Sequence, residues 1–491
     1  MSKLPLVESF EAGYLEYNGI LPLEIQGDKL RVAVAGEPAI EVLDDLEVSF
    51  GVPLEVVPVS AEELHDGIRR AYAAAESVVE LVRDLDGVVG PSGEPDAPLA
   101  DARDLANQPP VIRFVNLLIR EAHEARASDI HLESARDGLR ARFRIDGVLT
   151  EVPSPPKALQ AAVVSRVKLL AELDIAERRA AQDGRIRVRL EERELDLRVS
   201  TVPTLYGESV VLRLLDRGGR PVALEELGMA PETLVRYQQL ARRPHGILLA
   251  TGPTGSGKTT TLYAALGLRR RDAEKIITVE DPVEYHLDGV TQVPVNVKAG
   301  MTFPAALRSL LRQDPDVLMV GEMRDAETAA IAVQAAMTGH LVFSTLHTND
   351  AVSAITRLLD LKVEPYMIAA TLEGVLAQRL VRKICPDCRT RYRPDSQAVA
   401  LLAEQPIGTA ALERGRGCAT CRETGYRGRL GIFELMPITD EIKQAVSRSA
   451  PQAELRDLAR GAGMRPLRND GWTKVQAGLT TVEEVLRVTE H

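Results

Sequence analysis

A chain of 491 residues has room for two to four domains, each large enough to bury a core of its own. Its 71 acidic and 60 basic residues leave a formal charge of −11, which argues against a protein built mainly to coat nucleic acid. No apolar run approaches the roughly 18 residues of a membrane-crossing helix, and MSKLPLVESFEAGY lacks the basic-then-apolar pattern of a secretory signal, so a cytoplasmic chain is expected.

Residues 1–87 read as a small α/β domain. Leu30–Val34 and Leu54–Val57 look like short strands, and Leu64, Ile68, Ala71, Ala75, Val78 and Val82 recur at helical spacing between Ala61 and Leu85. No catalytic constellation lies there, which leaves binding or structure. Residues 88–110, rich in Pro, Gly and acids, read as a linker. A middle domain of helices and an antiparallel sheet is expected over 111–220. Its first helix opens at Val111 with Phe114, Leu117, Leu118 and Ala122 on one face. Ala141, Phe143 and Ile145 then alternate with Arg142, Arg144 and Asp146, and Asp146-Gly147 is a strong hairpin turn. Arg185–Leu190, Leu195–Val199 and Val210–Leu214 add further strands. From Gly228 onward the pattern becomes strand, loop, helix, repeated, which predicts a parallel, doubly wound α/β sheet.

Gly246–Thr251 is an apolar strand that runs straight into Gly252-Pro253-Thr254-Gly255-Ser256-Gly257-Lys258-Thr259-Thr260, which fits the phosphate-loop pattern G-x-x-x-x-G-K-[ST]. The glycines let backbone N–H groups curl around phosphate oxygens where a side chain would block approach. Lys258 supplies charge to the terminal phosphates, Thr259 can ligate magnesium, and the helix that follows points its positive end at the site. ATP and Mg²⁺ are therefore expected.

Three more apolar strands end on polar residues. Ile276–Val279 runs into Glu280-Asp281-Pro282-Val283-Glu284, Val317–Val320 into Gly321-Glu322, and Leu341–Thr345 lies between His340 and His347. A P-loop ATPase ordinarily ends the second of these on a magnesium-holding aspartate; here Glu322 stands one residue further on. Ligands of open parallel sheets sit outside the carboxyl ends of the strands, so Glu284, Glu322 and His347 should converge on the phosphate loop. Taken singly, Asp281-Pro282 can be only a turn starter and His340 only a neighbour of a helix cap. As a set of strand-end clusters in chain order, a shared site is the better reading.

GPTGSGKTTT, ITVEDPVE, LRQDPDVLMVGEMRD and TGHLVFSTLHTND together resemble the secretion and pilus motor ATPases, in which these boxes are called Walker A, Asp box, Walker B and His box. The resemblance covers roughly 110–491, and in that family Walker B itself reads Gly-Glu. It implies a RecA-like P-loop NTPase domain over 228–491, a PAS-like α+β middle domain and a small α/β N-terminal docking domain. It implies further a ring-shaped homo-hexamer with nucleotide held between the middle and C-terminal domains. By the same resemblance Glu284 activates water, Glu322 holds magnesium, and His340 and His347 sense the γ-phosphate or couple it to movement. Arg198 and Arg213, on middle-domain strands, resemble the family's arginine fingers; the competing reading is a solvated strand arginine. Arg308, Arg312 and Arg324 are weaker candidates for contacts between domains.

Cys385-Pro-Asp-Cys388 and Cys418-Ala-Thr-Cys421 are two CxxC pairs with 29 residues between them. Two such knuckles complete a tetrahedral zinc site with no open position, hence structural, and make 383–430 an insertion clipped by metal. A redox dithiol is the alternative, without thioredoxin-like surroundings to favour it. The tetracysteine insertion resembles secretion and pilus-assembly motors and argues against a retraction motor. Thr481 with Glu484 reads as a capping box for the last helix.

The expected function is the cytoplasmic ATPase of a type II secretion system, driving pseudopilus assembly and protein export. It would be attached peripherally to the inner membrane through a platform protein that meets residues 1–87, with peripheral phospholipid contact and no nucleic acid. The alternative is a type IV pilus assembly ATPase, disfavoured by the short N-terminal region. A RecA-like DNA-translocating motor would want a basic, aromatic channel, against the 4% aromatic content here. A scaffold that only binds nucleotide would not need Lys258, Glu284 and Glu322 together.

Overall fold

The computed structural model describes residues 12–26, 29–36, 40–50, 52–73, 78, 81, 82, 106–190, 193–216, 222–269, 272–393 and 412–489. Three sheets carry the architecture, with a two-stranded ribbon at the cysteines. The N-terminal sheet joins β1 (Ile20–Gln26) antiparallel to β2 (Lys29–Val34), which pairs parallel with β3 (Leu54–Pro58). β2 and β3 lie where the apolar runs put them; β1 was not anticipated. Helix Ala61–Ala73 presents Leu64 and Ile68 to this small core. Val78 and Leu81 do not join it: they sit in the core of the middle domain, and the Val78 N–H donates to Glu121 Oε1 at 2.7 Å. The end of the expected first domain thus packs on the second. Residues 88–105 of the expected linker, with Ala75 and Leu85, lie outside the described residues.

The middle sheet has six antiparallel strands: β4 (Ala127–Ala135), β5 (Gly138–Ile145), β6 (Val148–Val152), β7 (Gln182–Leu190), β8 (Arg193–Thr204) and β9 (Gly207–Asp216). Their order is β6-β5-β4-β9-β8-β7. Alternation decides its two faces. Ile130, Leu132, Ala141, Phe143, Leu197, Val199, Val210 and Leu212 face helices Pro109–Glu124 and Gln160–Leu170, while arginines occupy the other face. Asp146 and Gly147 both take positive φ, 49° and 86°, and close β5 onto β6 as a two-residue turn. This is the expected α+β, PAS-like layer. The buried pair Lys168–Glu208, at 2.8 Å, fastens the second helix to the head of β9.

The third sheet has seven strands: β10 (Gly246–Thr251), β11 (Ile276–Glu280), β12 (Thr291–Pro294), β13 (Val317–Val320), β14 (Leu341–Leu346), β15 (Leu372–Ile384) and β18 (Tyr426–Pro437). The order is β12-β11-β13-β14-β10-β15-β18, parallel except for β18. Both faces are covered. On β10, Ile247 and Leu249 enter one core while Leu248 and Ala250 enter the other, and β13 and β14 divide in the same way. That double burial is why these strands read as unbroken apolar runs. Asp325, Thr302 and Thr439 each accept a backbone N–H three residues on and so start helices at fixed points around the sheet. Between β15 and β18 runs the insertion, with β16 (Arg389–Tyr392) antiparallel to β17 (Leu412–Gly415).

Candidate nucleotide and metal sites

The phosphate loop lies at the carboxyl end of β10, with β14 and β15 as its neighbours. Gly252, Gly255 and Gly257 hold φ of 150°, 78° and 87°, and a Cβ on Gly252 would stand 2.5 Å from the Gln378 carbonyl. Only glycine fits that approach. Lys258 begins the helix Lys258–Leu266, and its Nζ donates to the carbonyls of Gly252 at 2.7 Å and Pro253 at 3.1 Å. Burial depresses its pKa to about 8, with Glu322 pulling the other way and Arg379 adding to the depression. A cation curled inside its own loop beside a carboxylate is what a phosphate-receiving cradle requires.

Glu322 leaves the end of β13 and meets Arg324 Nε at 2.7 Å and His347 Nε2 at 3.3 Å. Its position is fixed by the neighbouring strand: Ser344 Oγ donates to the Val320 carbonyl at 2.8 Å and Thr345 Oγ1 to the Gly321 carbonyl at 2.7 Å. Glu284 is exposed on the loop after β11. That loop is bolted to the phosphate-loop helix through Tyr263, whose hydroxyl accepts the Glu284 N–H at 3.4 Å and donates to Glu280. Glu280 itself is 3% exposed, also accepts from Thr278 and Gln292, and burial pushes its carboxyl up. The two glutamates of EDPVE therefore divide: one is buried in a hydrogen-bonded cluster and the other is free to meet a ligand.

The structure brings Lys258, Glu322 and His347 together, and it separates His340 from them. His340 precedes β14, so it stands at the amino end of the sheet, where its carbonyl accepts the Gly246 N–H and its Nδ1 meets the Ala335 carbonyl at 2.8 Å. A six-residue strand, about 20 Å, lies between it and the phosphate loop. Within this chain His340 cannot sense the γ-phosphate; parallel pairing puts only residues after the strand at the ligand edge. The weaker arginine candidates are engaged inside the domain: Arg308 with Glu327, Arg312 with the Arg308 carbonyl, and Arg324 with Glu322.

Arg198 and Arg213 project from adjacent, directly opposed positions on β8 and β9. Arg213 Nε donates to Asp129 at 2.9 Å. Burial and then Arg185 lower the Arg198 pKa, and Glu284 of the ATPase domain acts to raise it, so that carboxylate lies within electrostatic reach. Sequence reading missed Gln378 and Arg379, which are 1% and 4% exposed in the middle of β15. Gln378 donates to the Ser256 carbonyl at 2.7 Å, and Arg379 Nη2 donates to the Asn349 carbonyl at 2.9 Å. Their signal was present: a Gln-Arg pair in the middle of the apolar run Val375–Val381.

All four cysteine sulfurs lie within 4.8 Å of one another. Cys385–Cys418, Cys388–Cys421 and Cys418–Cys421 are 3.9, 3.8 and 3.6 Å apart, far beyond a disulfide bond. Zn–S bonds of about 2.3 Å in a tetrahedron put sulfurs about 3.8 Å apart, so the donor set fits zinc. Burial opposes a thiolate at Cys421, but N–H groups of Gly425 and Cys418 aimed at its sulfur bring its pKa down to about 7. The insertion base is tied separately. Glu484 receives the Arg382 N–H at 2.9 Å and the Arg382 and Arg487 guanidiniums at 2.7 Å. The capping box is thus half formed: Thr481 accepts the Glu484 N–H at 3.4 Å, while the Glu484 carboxylate is used elsewhere.

The type II/IV secretion system protein family matches residues 104–487, and an MshEN domain matches residues 2–78. The type II secretion system protein E of Xanthomonas campestris pv. campestris is 47% identical over 99% of this chain and 86% of its own length. The type IV pilus assembly ATPase PilB of Myxococcus xanthus is 43% identical over 95% of this chain and 83% of its own. Among solved structures, the pilus retraction motor PilT with bound ADP aligns with a TM-score of 0.52 at 26% identity, covering 76% of this chain and 96% of that one. With the phosphate loop, the strand-end acids and the arginine-bearing middle sheet in place, the chain belongs to the type II/IV secretion system protein family, and within it to the secretion ATPases of the type II system.

Proposed function

We propose that this ATPase works as a homo-hexameric ring in the cytoplasm, powering pseudopilus assembly for type II protein export. Magnesium, when bound, neutralises phosphate charge and polarises the bond that breaks; Thr259 and Glu322 are the residues that would hold it. Residues 252–260 bind the phosphates through backbone N–H groups, with Lys258 exchanging its carbonyl partners for phosphate oxygen. Glu284 orients water and takes its proton, and Tyr263 fixes the loop that carries it. Arg198 and Arg213 meet the charge developing on the leaving phosphates. His347, hydrogen-bonded to Glu322, reports whether that carboxylate is engaged. The four cysteines hold a structural zinc that closes the insertion. The N-terminal domain docks an inner-membrane platform protein, which brings the ring to the membrane and its phospholipid.

The observation that carries this reading is the arrangement at one end of the sheet: Lys258 curled in the loop after β10, Glu322 on His347 after β13, and Glu284 exposed on the loop after the neighbouring β11. Glu284→Gln keeps the shape of the loop and removes the base. It is expected to bind ATP as the parent does and to lose turnover by at least about a hundredfold. Undiminished hydrolysis would remove Glu284 from the mechanism.

A further inference from the structure

Along the outer strand β7, Arg185, Arg187 and Arg189 share one face by alternation and are exposed. By register Arg187 stands opposite Asp196 on β8, and Arg189 opposite Glu194, so an acidic residue occupies each facing position. Arg185 stands opposite Arg198 instead. The register carries on across the sheet: Arg198 opposite Arg213, Arg213 opposite Asp129, Asp129 opposite Arg144. A single cross-strand row therefore holds Arg185, Arg198, Arg213 and Arg144 around one carboxylate.

That carboxylate is committed at the far end. It accepts from Arg213 Nε at 2.9 Å and from Ser128 at 2.8 Å, and Arg144 Nε lies 3.8 Å away. Arg198 Nε is buried without a hydrogen-bond partner. Among the described residues no carboxylate makes an ion pair with Arg185 or Arg198. Like charges directly opposed on neighbouring strands cost stability, so a fold that keeps three in a row needs a counter-anion or a rigid frame. It has the frame. The start of β7 is clamped by Gln182, which donates to the carbonyls of Asp174 at 2.9 Å and Glu177 at 3.2 Å and accepts the Asp174 N–H at 2.9 Å. Gly184 passes so close to Ala171 that a Cβ would stand 2.5 Å from its carbonyl oxygen. Arg185 is thus held in register rather than left on a loose edge. By register the row lies on one face of the sheet, and at its Arg198 position it is close enough to the Glu284 carboxylate to feel its charge.

We propose that Arg185 is a third phosphate-contacting arginine, forming with Arg198 and Arg213 a strand-borne row that receives the polyphosphate tail of ATP. This rests on the assignment of Arg198 and Arg213 to the nucleotide. The three guanidiniums repel one another in the empty protein and are relieved by a polyanion, which makes the row more selective for triphosphate than any one arginine. Arg187 and Arg189, opposite acids, take no part.

The test uses the full-length protein with Arg185→Gln, Arg185→Lys, Arg187→Gln and Arg198→Ala, measured for MgATP turnover and for melting temperature with and without MgADP or a non-hydrolysable MgATP analogue. Arg185→Gln is expected to lower kcat/KM about tenfold, to leave the nucleotide-free melting temperature unchanged or raised, and to shrink the stabilisation by the triphosphate analogue more than that by MgADP. Arg185→Lys should recover part of the loss, and Arg187→Gln should lose nothing. Loss in Arg198→Ala with Arg185→Gln at parental activity overturns this inference alone. Parental activity in both overturns the finger assignment beneath it. A fall in nucleotide-free stability in Arg185→Gln that accounts for its lost turnover, unrelieved by lysine, makes Arg185 structural and also overturns the proposal.

Discussion

The nucleotide edge and the cysteine clip are served by the same strand, since β15 contributes Gln378 to the phosphate loop and then runs out to Cys385. They are built for opposite ends. At the nucleotide edge charged groups are left only partly answered: Lys258 satisfied by its own loop carbonyls, Arg198 with a buried Nε lacking a partner, Glu284 exposed. At the clip every donor is answered by another, with four sulfurs mutually close and backbone N–H groups turned onto Cys421. A site that must exchange its ligand each cycle keeps its polar groups waiting, whereas one that must never let go closes its shell.

The contrast can be broken most forcefully at Arg198. Arg198→Ala is expected to reduce turnover about a thousandfold in the assembled protein and to leave ATP affinity within a few-fold. Equal losses in affinity and turnover would mean that the arginine serves binding alone. At the clip, metal analysis should find about one zinc per chain, and chelation should lower the melting temperature while turnover per folded chain holds below the melt. A dithiol–disulfide couple without metal, or turnover that vanishes on chelation while the chain stays folded, would erase the distinction. The smallest effect belongs to Glu484 at the base of the insertion. Burial would raise its carboxyl, but Arg487 and Arg382 outweigh burial and hold its pKa to about 2, against an ordinary 4.5. A folded value below the unfolded one gives stability that is complete above about pH 4.5 and is lost as pH falls towards 2. Glu484→Gln should therefore cost about 1–3 kcal/mol at pH 7 and progressively less in acid, read from thermal melts across that range. A pH-independent deficit would assign the loss to packing.

The strand-loop-helix order after Gly228, the parallel body of its sheet, the Asp146-Gly147 hairpin, the phosphate loop and the four-cysteine cluster were legible in the residues, because each is written locally; β1, β4 and β12 were not anticipated. A strand buried on both faces is mostly apolar, a tight turn must tolerate positive φ, and a phosphate loop needs glycine where its backbone approaches closest. Proximity across the fold was not legible. Glu280 was one strand-end acid among several and Tyr263 was not singled out, and only the packing of the phosphate-loop helix on β11 joins them under Glu284. His340 and His347 looked like a pair because they flank one strand. That strand is extended, so the same spacing carries them to opposite edges of the sheet. Glu484 promised a capping box, but Arg382, distant in sequence and adjacent in space, offers its carboxylate a charge-assisted partner instead. Register decided the arginine row as well: nothing in the spacing of residues 185, 198 and 213 reveals that they stand side by side, since antiparallel pairing is set by turns and bulges along the whole sheet. The sequence by itself determined which groups this protein has for handling phosphate and metal, and tertiary structure alone decided which of them meet.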